Sequence, residues 1–461
     1  MIEEVELKGE WWLPKSPEEK VRGVLKLSQE DGLKLSLDGI FNDIEKIPPE
    51  WFNLVLGNTT RGKVTFCNPT MWSKSYYRGL MTSEFTAEWA FIGHHFNSIE
   101  EIKFKELDIS YAYLRQWLNR KPFEISKSSD SEIVVKYRQH PEKKFVLDDG
   151  YCLLFRHSCE HPRKMDIKDQ VTLKENIYVT IAAPEKVHFR TLVQFSSAIE
   201  IFLNFGIQKL AIPEKIWCTI PVFKKDKGEN EKVQIYYRLG YSPKINRYLD
   251  IDCLFWFDDI ADETELYLNN WIDLTKKYKE AISLYHDALV ADKENLNRFL
   301  NLAQAIEIFH RTKFGGSYMA AKDFKKTLRK INKIISETDL INDEVKEIFR
   351  NKVALINYHT LKDRLKDIFE KYQTISVRID KDKRKYLIQE IVETRNYYTH
   401  FDKRLEEKVK TKNSLRQPSE KLRYILEMML LKEIGLSDEL VTFFLQRPTS
   451  YHTENPHYRY I

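Results

Sequence analysis

The sequence predicts an α+β, multidomain protein in which a strand-rich, sandwich-like N-terminal domain with one packed helix precedes an all-α helical bundle. Three observations predict it. Short runs alternating apolar and polar residues recur from Glu6 to near Phe257. Inside that region the stretch Pro184 to Gly206 has helical periodicity instead. After Asp258 glycine, proline and alternation almost vanish, and long 3.6-period segments follow one another to about Gln446. The expected boundaries are 1–257, 258–446 and a tail at 447–461.

In chain order, Val24-Leu25-Lys26-Leu27 and Leu33-Lys34-Leu35-Ser36-Leu37 flank Asp31-Gly32, which predicts a hairpin with one apolar face within Glu6 to Phe41. Similar runs follow at Gly62 to Phe66, Leu107 to Tyr111, Glu132 to Tyr137, Lys144 to Phe155 around Asp149-Gly150, and Val171 to Ile181. The sheet is expected to be mostly antiparallel. Trp11, Trp12, Trp72, Trp89 and Trp117 are expected mostly in the core, with a ligand-binding face as the alternative. The helix should begin at Pro184, stop at Gly206 and turn Phe189, Leu192, Phe195, Ile199 and Phe202 toward the sheet. Two strands, Ile216 to Phe223 and Val233 to Leu239, enclose the charged tip KKDKGENEK.

The helical part reads as Glu263 to Leu289, Glu294 to Thr312, Met319 to Glu337, Asp343 to Tyr372 with a break near His359, Lys383 to His400, and Ser419 to Leu445. For the aromatic, polar tail from Arg447 to Ile461, docking and fraying both stay open.

Of 461 residues, 42% are hydrophobic, which argues against wholesale disorder. No run of 18 or more apolar residues occurs, and MIEEVELKGEWW lacks the basic start and apolar stretch of a signal peptide. A soluble, cytoplasmic protein without a membrane partner is expected. Five cysteines, sparse and odd in number, fit reduced thiols. Lys plus Arg at 74 against Asp plus Glu at 69 gives +5, a balance that permits a nucleic-acid partner without demanding one.

The stretch Ile388 to Asp402, IQEIVETRNYYTHFD, is where the chemistry is expected. Ile388, Ile391 and Val392 recur at helical spacing, and the stripe extended by a turn meets Arg395. A guanidinium on a core-facing stripe persists only if it is paired, hydrogen-bonded or held at a solvent-filled pocket. Glu393, Asn396 and His400 stand three and four residues apart and share a neighbouring face, which places Asn396 to orient His400. Five residues turn an ideal helix by about 500°, leaving Arg395 and His400 about 140° apart. The site must then be a groove wrapping the helix, as where two copies meet, unless the helix loosens near His400.

A second anomaly lies upstream, where Leu300 and Ala303 set an apolar line that reaches Glu307, with His310 and Arg311 beyond. Glu307 is expected to meet Arg395 across the bundle, the alternative being a local pair with Arg311. Basic residues flank the Arg395 helix: Lys322 to Lys333, Lys381 to Lys385, Lys403, Arg404, Lys408, Lys410 and Lys412. Lys385, Lys403 and Arg404 are the candidate contacts of a polyanion track to Arg395, though a solvated surface would look similar. Arg156 and His161 repeat the arginine–histidine spacing in a strand-rich context and are read as a decoy. Cys152, His157, Cys159 and His161 match no standard zinc spacing, and no metal ligand set is expected. No phosphate-binding loop with its lysine is present, and Gly315-Gly316 reads as an interhelical turn. No cofactor is expected.

With Arg395-Asn396 followed by His400 late in a helical domain, and AIEIFHR at Ala305 to Arg311 upstream, the sequence resembles the HEPN superfamily. More closely it resembles the ApeA-like branch, in which a strand-rich ApeA-type domain precedes the HEPN domain. The resemblance implies a metal-independent endoribonuclease, commonly dimeric, with two arginine–histidine motifs facing one another in a composite cleft. It implies abortive anti-phage defence, with cleavage of transfer RNA as a typical outcome and a phage-derived trigger sensed by the N-terminal domain. Arg395 would hold the scissile phosphate, Asn396 would orient the site and His400 would transfer protons, with Glu307, His310 and Glu393 in support. Some HEPN domains are non-catalytic RNA- or nucleotide-binding modules, which is the alternative.

Overall fold

In the computed structural model the residues described are 5–28, 32–41, 53–129, 132–161, 171–220, 231–237, 253–291, 295–372, 379–401, 403–409 and 414–447. Sixteen strands are found among them: β1 Val5–Leu13, β2 Ser16–Ser28, β3 Gly32–Leu37, β4 Leu54–Thr59, β5 Gly62–Cys67, β6 Thr70–Tyr77, β7 Leu80–Thr86, β8 Trp89–Ile92, β9 Lys103–Tyr111, β10 Phe123–Ser129, β11 Glu132–Tyr137, β12 Lys143–Val146, β13 Cys152–Glu160, β14 Lys174–His188, β15 Pro213–Ile220 and β16 Glu231–Tyr237. Fourteen form one antiparallel sheet in the order β12-β13-β14-β9-β15-β16-β8-β5-β4-β1-β2-β3-β7-β6, and β10 with β11 makes a separate ribbon.

The strand-rich expectation holds, while the sandwich-like arrangement resolves into one continuous hydrogen-bonded sheet. The joint is β16, which pairs with β15 through Ile235 and Ile216 and with β8 through Tyr236 and Ala90. Register follows from burial. Leu7, Leu25, Leu35 and Phe85 face one another in a row across β1, β2, β3 and β7, and all four are fully buried. Each contributes about 1.5–3 kcal/mol of burial, and a one-residue slip would turn a whole strand's apolar set to the wrong face. Gly57 stands opposite Trp11, where an added Cβ would lie 2.4 Å from the indole ring. Trp11, Trp12 and Trp117 are in the core, but Trp72 is 78% exposed on β6.

A short helix α1, Leu114–Trp117, precedes the long helix α2, Phe189–Ile207. The start predicted at Pro184 is corrected: Pro184 belongs to β14, at a register shift between Ala182 and Val187. A bulge accommodates the missing proline N–H. The helix is capped by His188, whose ring nitrogen accepts from the Arg190 N–H at 3.3 Å. Phe189, Leu192, Ile199 and Phe202 are buried, and Phe195 stacks on Tyr151. The predicted Asp31 and the KKDKGENEK tip up to Asn230 lie outside the described residues, as does 448–461.

The helical part comprises α3 Thr264–Lys277, α4 Lys279–Val290, α5 Leu296–Phe314, α6 Ala321–Glu337, α7 Asp343–Leu355, α8 Leu361–Lys371, α9 Lys381–His400, α10 Arg416–Glu433 and α11 Asp438–Gln446. Two helices predicted as single rods are broken, the first at Tyr278 and the second beside Gly435, whose φ of +100° is a glycine conformation. The chain divides into two compact units, Met1–Asn269 and Asn270–Ile461. Helix α5 packs on α4, α8, α9 and α10, and polar contacts hold both its ends. Arg298 donates to Glu420 at 2.8 Å with both side chains 3% exposed. At the other end Lys313 donates to Glu433 and, at 3.0 Å, to Tyr372.

Candidate functional site

Helix α9 starts from an Asp380 cap, whose carboxylate accepts from the Asp382 N–H at 3.1 Å. Leu387, Ile388, Ile391 and Thr394 form its buried side. The next residue, Arg395, therefore stands at the edge of that stripe. Its Nη2 donates to Glu307 Oε2 on α5 at 3.1 Å, and its Nη1 donates to Asn396 Oδ1 at 3.2 Å. The structure thus brings Glu307 and Arg395 together, and no local pair with Arg311 is found among the described residues. The pair is half-buried, with side-chain exposures of 16% for Glu307 and 31% for Arg395.

His400 is the last residue of α9 and is exposed; Phe401 turns the chain out of the helix in a left-handed conformation with φ of 52°. The expected Asn396–His400 contact is absent among the described residues. Asn396 Oδ1 is taken by the adjacent guanidinium, and Glu393 Oε1 accepts from Gln389 Nε2 at 3.0 Å. The angular offset expected of an ideal helix is thus matched by one half-buried and one solvent-facing group.

His310 lies one turn beyond Glu307 on α5 and is buried. Its Nδ1 is 3.0 Å from Arg364 Nη1 and its Nε2 is 2.7 Å from Asp367 Oδ2. Since a guanidinium can only donate, Nδ1 accepts and Nε2 carries the proton shared with Asp367. Burial pushes the His310 pKa down, and the neighbouring Arg364 charge acts in the same direction. Arg364 itself is 3% exposed and donates to the Gly315 carbonyl. At Gly316 a Cβ would come within 3.0 Å of its Nη2. Burial and nearby Arg311 lower the Arg364 pKa, while Glu307 opposes them. Sequence reasoning missed Arg364 and Asp367. The signal was available, because Arg364 interrupts the apolar stripe Leu361, Leu365, Ile368 as Arg395 interrupts its own.

Lys385 is exposed near the start of α9, and Lys403 and Arg404 are exposed in the 3-10 turn Lys403–Lys408. The side chain of Lys408, and Lys410 and Lys412, lie outside the described residues. Arg156 is tied to Glu106 at 3.0 Å and to Glu142 at 3.1 Å, a structural ion cluster on β13. Cys152 and Cys159 are seven positions apart on that strand and so face opposite sides. His157 pairs with Glu175 at 3.3 Å. Among the described residues no three His, Cys, Asp or Glu side chains converge as a metal site, and no helix is long and apolar enough to cross a membrane.

A large antiparallel sheet followed by a helical bundle that presents Arg395-Asn396 and His400 late in its course defines a protein of the HEPN type. ApeA N-terminal domain 1 matches residues 6–271, and Apea-like HEPN matches residues 300–440. The chain belongs to the ApeA-like HEPN family, a defence-associated group. Neither a curated protein nor a solved structure matches it.

Proposed function

We propose that the protein is a HEPN-type endoribonuclease acting in anti-phage defence by abortive infection, with transfer RNA or another cellular RNA as substrate. The observation that carries this reading is Arg395, fixed between Glu307 and Asn396 on the helix that ends in exposed His400. Arginine neutralises charge developing on phosphoryl oxygens, and histidine, with an ordinary pKa of about 6.5, exchanges protons near neutrality. Together they suit attack by the RNA's own 2′-hydroxyl on the adjacent phosphorus. The 2′-oxygen loses its proton, the bond to the 5′-oxygen breaks, and that oxygen takes up a proton. A 2′,3′-cyclic phosphate and a 5′-hydroxyl result.

In this reading His400 exchanges the protons, Arg395 and Asn396 hold the phosphate, and Lys385, Lys403 and Arg404 guide the strand. Two copies of α9 would complete one another across a dimer cleft. Ile334 on α6 and Ile348 and Phe349 on α7 are exposed apolar side chains available for such self-association. The strand-rich unit would sense the trigger. One observation favours the non-catalytic alternative: no hydrogen bond orients His400 within one chain among the described residues.

The test is incubation of purified protein with total cellular RNA in excess EDTA, beside His400→Ala. Cyclic-phosphate products, and a rate at least about 10²-fold lower in the variant with RNA affinity retained, support the proposal. Products bearing 5′-phosphates, cleavage abolished by EDTA, or an unchanged variant rate reject the mechanism.

A further inference from the structure

The strand-rich unit contains a cavity of about 900 Å³, toward the upper end of the range occupied by small-molecule ligands. Its walls come from both halves of the sheet: the ends of β2 and β3 and the β4–β5 turn on one side, and α1, β14, β15 and β16 on the other. The floor is apolar, with Leu27, Ile235 and Tyr236 buried. The rim is basic. Arg61, Lys174 and Lys215 are exposed there, and none of them is held in an ion pair among the described residues.

A fourth cation is held in place. Arg115 donates through Nη1 to Glu175 at 2.6 Å, where the carboxylate is fully buried, yet the arginine side chain remains 40% exposed. The lining contains four cations against the carboxylates Glu175 and Glu214, and Glu175 is consumed by Arg115. An excess of positive charge around a cleft favours anions. Two further features select an aromatic ring. Tyr113 lines the cavity with a ring on which a planar group can stack, its backbone left-handed at φ 63° and ψ 0°, which is uncommon for a bulky residue. Gln234 brings an amide with a donor and an acceptor, the pair that reads a nucleobase edge.

We propose that this cavity binds a nucleoside phosphate, its phosphates at the Arg61, Lys174 and Lys215 rim and its base between Tyr113 and Gln234. All the lining residues belong to the strand-rich unit, and the proposal does not depend on ribonuclease activity. A bound nucleotide would make the strand-rich unit a sensor of a small molecule.

Isothermal titration of the full chain with ATP, GTP, CTP and UTP, beside inorganic tripolyphosphate, tests it. At least one nucleotide should bind with a Kd below about 1 mM and more tightly than tripolyphosphate. Arg61→Ala combined with Lys215→Ala should weaken it at least about tenfold, as should Tyr113→Gly, which removes the ring at a position whose backbone glycine adopts readily. The unfolding midpoint without nucleotide serves as the check on folding. Arg395→Ala should leave the affinity unchanged. The proposal is overturned if none of the four nucleotides binds, if tripolyphosphate binds as tightly as they do, if folded cavity variants bind as wild type, or if Arg395→Ala removes binding.

Discussion

Glu307 Oε2 accepts from Arg395 Nη2 at 3.1 Å, tying the central helix α5 to the helix that carries the Arg-Asn motif. With 16% and 31% of the side chains exposed, the pair lies between a surface ion pair and a fully buried one. A double-mutant cycle of Glu307→Ala and Arg395→Ala should give a coupling of about 1–2 kcal/mol in urea unfolding. The double variant should be more stable than the sum of the single losses predicts. Strictly additive losses would mean that the contact contributes nothing.

Acid should weaken the bundle through His310. Burial holds its folded pKa below the ordinary 6.5, so between those values the unfolded chain takes up a proton that the folded chain excludes. This contribution is complete above about pH 6.5 and is lost as pH falls from there toward the folded pKa. Urea midpoints measured from about pH 7 to about pH 5 should therefore fall, and His310→Gln should remove part of that slope. An identical slope in the variant would place the acid sensitivity elsewhere.

Arg298 tests how α5 is held. Glu420 accepts from Arg298 at 2.8 Å and pairs with Arg423 at 2.7 Å, all three nearly inaccessible to solvent. Arg298→Met removes one cation from this network and should cost about 3–5 kcal/mol. A loss below about 1 kcal/mol would indicate that water relaxes into the site.

Lys385, Lys403 and Arg404 are exposed on the two sides of Arg395 in the sequence. If they follow phosphates, the dependence of RNA affinity on salt should lose about one unit of slope for each residue changed to alanine. The loss should be similar across RNA sequences. A wild-type affinity indifferent to salt would assign these residues to an ordinary solvated surface.

Period and burial made much of this fold legible from sequence. Alternation marked β2, β3 and β9 because one face of each strand is buried, and the arginine interrupting an apolar stripe led to Glu307. Much of what failed depends on contacts between residues distant in sequence. The continuity of the sheet rests on β16 pairing at both its edges, which no local pattern encodes. Pro184 has the look of a helix start, but a bulge in β14 absorbs it. Asn396 could face His400 by spacing alone, yet the neighbouring guanidinium reaches its oxygen first. The role of His310 was hidden because Arg364 and Asp367 lie on another helix.

A guanidinium has five N–H bonds, and Glu307 and Asn396 engage one each on different nitrogens of Arg395. The side chain is thereby stopped in one rotamer, with three N–H bonds left over among the described residues. A free surface arginine carries about 2 kcal/mol of rotamer entropy, and an anion that captures it must suppress part of that freedom. At Arg395 folding has already done so. An anion arriving there meets a stationary fork, and more of the attraction between them survives as affinity.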